Sequence, residues 1–124
     1  MILRFDATEC GMMTQDRNII CGASNAGSKE ENHTLIFCGP ATRDFDSNYE
    51  IYFEIDDQSQ GGENNLKEVR FLQNKLLIVP LPESDIPYTE IDVSLNCTDD
   101  AIEKFKAGLR LIFRNSIDKL HISE

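Results

Sequence analysis

The chain has 124 residues, 40% of them apolar, and a formal net charge of −10. That length is enough for one domain with its own core, and the composition argues against a wholly disordered chain. The surplus of carboxylates disfavours nucleic acid and anionic membrane as partners, because both are themselves negative.

The opening Met1-Ile2-Leu3-Arg4-Phe5-Asp6 is interrupted by charge, so no signal peptide is expected, and no stretch reaches the ~18 apolar residues of a membrane span. A cytosolic protein is the expectation. Four cysteines, Cys10, Cys21, Cys38 and Cys97, include no Cys-x-x-Cys pair. Zinc-knuckle and thioredoxin-like sites are therefore disfavoured, and free thiols are expected, with Cys21 and Cys38 buried inside apolar runs.

In chain order, residues 2–6 and 17–22 read as short strands. Residues 23–32 read as a polar loop. The compact run Thr34-Leu35-Ile36-Phe37-Cys38 predicts a buried strand bounded by Gly39-Pro40. Residues 49–55 alternate: Tyr49, Ile51, Phe53 and Ile55 face one way, and Glu50, Tyr52 and Glu54 the other.

Residues 66–72 and 75–81 predict a hairpin around Gln73-Asn74, with Asn supplying the positive φ of the turn. Leu76-Leu77-Ile78-Val79 is apolar on both faces, which suits a central or helix-covered strand. Pro80 and Pro82 end it. Residues 88–96 alternate again. The period then changes to 3.6, and Ile102, Phe105, Leu109, Ile112 and Phe113 share one helical face. Thr98 or Asp99 is the expected cap, and Gly108 the expected point of close packing. Residues 117–124 read as a tail or a short extra element. The expected fold is α+β: a single domain over residues 1–124, an antiparallel meander of about six to seven strands with one C-terminal amphipathic helix on a face.

No constellation points to catalysis. Asp44-x-Asp46-x-Asn48-x-Glu50 resembles the start of a calcium loop, but Tyr49 and Ile55 stand where an EF-hand needs Gly and Glu. His33 and His121 read as solvated side chains, and a Cys38–His33 nucleophile pair lacks an orienting third group. Asp56-Asp57 reads as a turn with backbone hydrogen bonding. Gly61-Gly62 is followed by no Lys-Ser/Thr, so it supplies positive φ or a bulge rather than a phosphate loop. A non-enzymatic protein without cofactor or metal is expected.

The charge pattern is more specific. Residues 44–66 hold seven carboxylates and no Lys or Arg. A second acidic region runs from Glu83 to Glu103, and the sign reverses at Lys104, Lys106, Arg110, Arg114 and Lys119, partly to complement the helix dipole. Tyr52 lies between Glu50 and Glu54, a pattern that suits contact with a basic protein, provided the helix does not cover that face.

Over about residues 48–114 the chain resembles the small acidic bacterial immunity proteins of polymorphic toxin systems. The resemblance lies in residues 49–58, the Gly61-Gly62 turn, the hairpin Val69-Arg70-Phe71-Leu72-Gln73-Asn74-Lys75-Leu76, the strand Glu90-Ile91-Asp92-Val93 and the helix end Leu109-Arg110-Leu111-Ile112-Phe113. Glu63-Asn64-Asn65 departs from the pattern, which places an aliphatic residue close behind the glycine pair. The resemblance implies an antidote that binds a cognate toxin domain. From the charge, that domain is expected to be basic, as a nuclease is, and Glu50, Tyr52, Glu54, Asp56, Asp57 and Glu63 are the expected protein-binding residues. The alternative is a small-ligand-binding or accessory domain, with the ligand held between helix and sheet by Phe53, Phe71 and Phe105.

Overall fold

The computed structural model describes residues 1–25, 31–41 and 50–123. Among them the chain forms two five-stranded sheets and one α-helix. The first sheet contains β1 (Ile2–Ala7), β7 (Leu66–Leu72), β8 (Lys75–Pro80), β9 (Glu90–Leu95) and β10 (Leu120–Ser123), in the order β1-β9-β8-β7-β10. The second contains β2 (Glu9–Gln15), β3 (Asn18–Ser24), β4 (Thr34–Pro40), β5 (Tyr52–Ile55) and β6 (Asp57–Glu63), in chain order. Helix α1 spans Asp99–Ile112.

The α+β class stands, but the single meander does not. The chain changes sheet twice through very short connections. Thr8 carries it from β1 to β2, with its N–H on the Ser24 carbonyl. Asn64 and Asn65 carry it from β6 to β7. Asn64 takes a φ of 52°, which Asn tolerates. Buried Asn65 donates through Nδ2 to the Phe53 carbonyl (2.9 Å), and its own carbonyl accepts from Leu81 N–H (2.8 Å). The first sheet is mixed, because β1 lies parallel to β9 and β10 parallel to β7.

Period-2 alternation decides which residues meet between the layers. Phe5 and Ala7, Ile91, Val93 and Leu95, Leu76 and Ile78, Val69 and Phe71 face inward from the first sheet and are buried. Ile19, Cys21, Leu35, Phe37, Phe53 and Ile55 do so from the second. As expected, β8 is central. The hairpin after β7 forms at Gln73-Asn74, but Gln73, not Asn74, takes the positive φ (57°). Asn74 instead ties β9, its carbonyl accepting from Leu95 N–H at 2.8 Å.

The helix begins where Thr98 accepts from Ala101 N–H (3.1 Å), with Asp99 and Asp100 in the first turn. At its other end Arg114 Nη1 donates to the Leu111 carbonyl (2.7 Å) and to the Pro40 carbonyl (3.2 Å). Phe105 joins the layers. Its ring lies 6.3 Å from Phe37 of the second sheet and 6.1 Å from Phe71 of the first. Lys106 is 6% exposed, its ammonium 5.0 Å above the Phe71 ring and 3.7 Å from Glu103 Oε1, so its stem packs while its head keeps a charged partner.

Strands β2 and β6 fall where no strand is expected from the sequence. The expected strand at 49–55 begins at Tyr52 among the described residues, and Tyr49 lies outside them. Residues 117–123 resolve into a single 3-10 turn, Ile117–Lys119, and β10.

Gly108 is the close-packing position. A Cβ there would stand 2.3 Å from Cys21 Sγ and 2.6 Å from Met12 Cγ. Ala gains about 1 kcal/mol of helix propensity over Gly, but overpacking typically costs about 1–3 kcal/mol. Cys21 is fully buried in the contact. Gly108→Ala is therefore expected to lower the urea midpoint; a raised midpoint would show that the helix can lift off β2 and β3 freely.

Candidate functional site

The site is built by β5 and β6 on the face of the second sheet that points away from helix and core. Ile51, Phe53 and Ile55 turn inward and are buried. Tyr52 and Glu54 turn outward, half-buried. Tyr52 pairs in register with Glu63, and Glu54 with Gly61. Gly61 is required by space: a Cβ there would lie 2.5 Å from Glu54 Cβ. Close approach across the ladder, rather than positive φ, explains this glycine, and the register shift lies beside it at Glu54/Ile55.

Four of the six expected residues come together. Tyr52 donates its hydroxyl to Glu54 Oε1 at 2.9 Å. Desolvation, and then the Glu54 carboxylate, push the phenol up to about 12. Glu50, exposed just before β5, accepts from Asn64 Nδ2 at 2.7 Å. Its carboxyl is held above the usual range, first by sharing a hydrogen bond with Glu63, then by desolvation and by the charge of Glu63. Among the described residues no Lys, Arg or His is ion-paired with Glu50, Glu54 or Glu63. Beside Glu63 a cleft of about 250 Å³ opens between 61–65 and 81–85, where Glu83 and Asp85 add two more carboxylates.

The other two residues serve the fold. Asp56 sits in the tight turn between β5 and β6 with a φ of 71°. Its carboxylate accepts from Thr34 N–H (3.1 Å) and lies 3.0 Å from His33 Nδ1. His33 is 7% exposed and packs its ring 5.3 Å from Phe5, which corrects the expectation of a solvated side chain. Asp57 accepts from the Ser59 N–H (2.7 Å) and hydroxyl, which hold its carboxyl below the usual range. Both aspartates thus match the expected turn with backbone hydrogen bonding.

His121 is exposed, 3.9 Å from Glu68. Cys21 is fully buried, its thiol pushed up to about 12 chiefly by burial, and all four cysteines are free. Cys38 departs from expectation: it lies half-buried on the outer face beside Tyr52. No group of three or more metal-ligating side chains occurs among the described residues, and Asp44, Asp46, Asn48 and Tyr49 lie outside them. Phe53, Phe71 and Phe105, between which the alternative places its ligand, are at most 1% exposed and pack between helix and sheets. Among the described residues no helix is long and apolar enough to cross a membrane. Comparison with family models, curated proteins and solved structures gives no match.

Two roles missed by sequence reasoning are those of Asn64, which holds Glu50 from fourteen residues away, and His33, which anchors Asp56. Neither leaves a local signal.

A raised carboxyl means that the fold favours the protonated form. That contribution is present below the unfolded value and is lost as pH rises through the folded one. The Glu50–Glu63 contact is therefore least favourable at neutral pH. In Glu63→Gln the titration of Glu50, followed by its side-chain carboxyl carbon in NMR, is expected to move down toward the ordinary carboxylate value; an unmoved midpoint would separate the two groups. By contrast, Asp56→Ala strips partners from buried His33 and from Thr34 N–H, and is expected to cost about 1–3 kcal/mol in denaturant unfolding. Asp56→Asn, which tolerates the same φ and keeps an acceptor, should recover part of that loss.

Proposed function

We propose that this chain is a cytosolic immunity protein that binds a basic bacterial toxin domain through the outer face of β5 and β6 and so neutralises it. The observation that carries the reading is the strip of Glu50, Glu54 and Glu63 around Tyr52, whose carboxylates pair with no cation among the described residues. The resemblance of residues 48–114 to acidic immunity proteins supports the same reading. Electrostatics of this kind accelerates encounter and selects partners of opposite sign. Tyr52 supplies apolar area with a polar tip, a common anchor in protein interfaces. Asp56 and Asp57 are left out of the interface, because their carboxylates are engaged in the turn.

One observation favours a second reading, small-ligand binding. A groove of about 500 Å³ crosses the outer face of the first sheet, lined by Arg4, Arg70, Lys75, Leu77 and Asp92, and Asp92 Oδ1 is buried there without a hydrogen-bond partner. Its mixed charge suits a small zwitterion. A thermal midpoint raised by such a molecule and insensitive to Arg70→Ala would remove the groove from consideration.

The first reading is tested by co-expression with the C-terminal domain of a large secreted protein encoded beside this chain. Growth should be restored and the pair should co-purify. Glu50→Lys, Glu54→Lys and Glu63→Lys together should lower the association rate at low salt by at least tenfold and flatten its salt dependence, with the fold intact by circular dichroism. Unchanged association would exclude this strip as the interface.

A further inference from the structure

The acidic strip is one border of a larger surface. On the outer face of the second sheet the register aligns two rows across all five strands. One row is Met13–Ile20–Cys38–Tyr52–Glu63. The other is Gly11–Gly22–Ile36–Glu54–Gly61. At ~4.8 Å per strand each row is roughly 19 Å long. Met13 is 54% exposed, and Ile20, Ile36 and Cys38 are only half-buried, although the inner residues of the same strands are sealed.

Gly11 and Gly22 stand side by side in this face. Glycine inside a strand weakens it, and its usual causes are positive φ or crowding. Neither applies. Among the described residues a Cβ on Gly11 would meet nothing within 4 Å and one on Gly22 only the Leu35 carbonyl at 3.4 Å, and neither backbone has positive φ. Gly22, Glu9, Ser24, Thr34 and Ile36 instead surround a shallow depression of about 350 Å³.

The other outer face of the molecule is different. On the first sheet Arg4 pairs with Asp92, and Glu68 with Arg70 and His121, so these carboxylates have cations beside them. Among the described residues the second sheet combines half-buried apolar side chains with carboxylates that form no ion pair.

We infer that the apolar rows on β2, β3 and β4 form the centre of the binding surface, and that its occupant is a protein segment carrying aliphatic side chains beside Lys or Arg. The inference rests on the reading above and deepens it. The aliphatic side chains would lie over Ile20, Ile36 and the depression beside Gly22, and the cations would meet Glu54, Glu63 and Glu50. An apolar centre with a charged rim is the usual anatomy of such a contact, and the charge of the rim selects a basic partner.

The test uses the full chain and two peptides, acetyl-Lys-Val-Lys-Leu-Lys-amide and its counterpart with Ser replacing Val and Leu, each titrated in amide and methyl NMR. The aliphatic peptide is expected to shift Gly11, Gly22, Ile20 and Ile36 together with Glu54 and Glu63, and to bind at least tenfold more tightly than the Ser peptide. Gly22→Val should keep or raise the thermal midpoint and weaken the aliphatic peptide at least tenfold. Equal binding of the two peptides, confined to the carboxylates, would overturn the apolar centre and leave the acidic interface standing. Shifts on neither region would remove both. Full binding by a folded Gly22→Val would also overturn the inference.

Discussion

The contact of Phe105 with both sheets is the constraint from which the rest follows. Its ring meets Phe37 on one side and Phe71 on the other, and Phe37 in turn meets Phe53 and Phe113. Each buried aromatic of this kind contributes about 1.5–3 kcal/mol by leaving water. Helix and first sheet together consume the inner face of the second sheet. Every inward residue of β3, β4 and β5 is thereby committed, and whatever these strands do beyond folding must use their outward residues. Tyr52, Glu54 and Glu63 belong to that remainder, as do Ile20 and Ile36.

The two outer faces divide the charge of the chain unequally. On the first sheet Asp92 and Glu68 have cations beside them, although Glu90 there also meets the like charge of Asp92. At Glu50 and Glu63 like charges meet with no ion-paired cation among the described residues, and Asn64 steadies one of them without neutralising it. Surface ion pairs add little stability, generally about 0–1 kcal/mol. Their distribution therefore bears more on recognition than on the fold.

Much of this was legible in the sequence, and the misses share a cause. Strands such as β4, β5, β8 and β9 bury one face deeply and alternate in consequence, so their period could be read. Strands β2 and β6 lie at sheet edges and carry Cys-Gly-Met-Met and Gln-Ser-Gln-Gly-Gly, where glycine and polar residues erase the period. The change of sheet at Thr8 and at Asn64-Asn65 has no signature, because it depends on bonds to Ser24, Phe53 and Leu81, remote in sequence. For the candidate site, the outward set Glu50, Tyr52 and Glu54 followed from alternation. Asp56 belongs elsewhere because of His33, a pairing twenty-three residues apart that no local pattern announces.

The outer face of the second sheet gives up stability in two independent ways. Glu50 and Glu63 repel at neutral pH, and Gly11 with Gly22 forgo the β propensity and cross-strand packing of larger residues. Gly61 and Gly108 have steric reasons inside the molecule, whereas among the described residues Gly11 and Gly22 have none. Local rules are most often broken where a surface answers to something outside the chain. Here both departures lie on one continuous face, the face that core packing leaves free. A basic segment with aliphatic side chains would reverse both at once, its cations relieving the carboxylates and its side chains filling the depression beside Gly22.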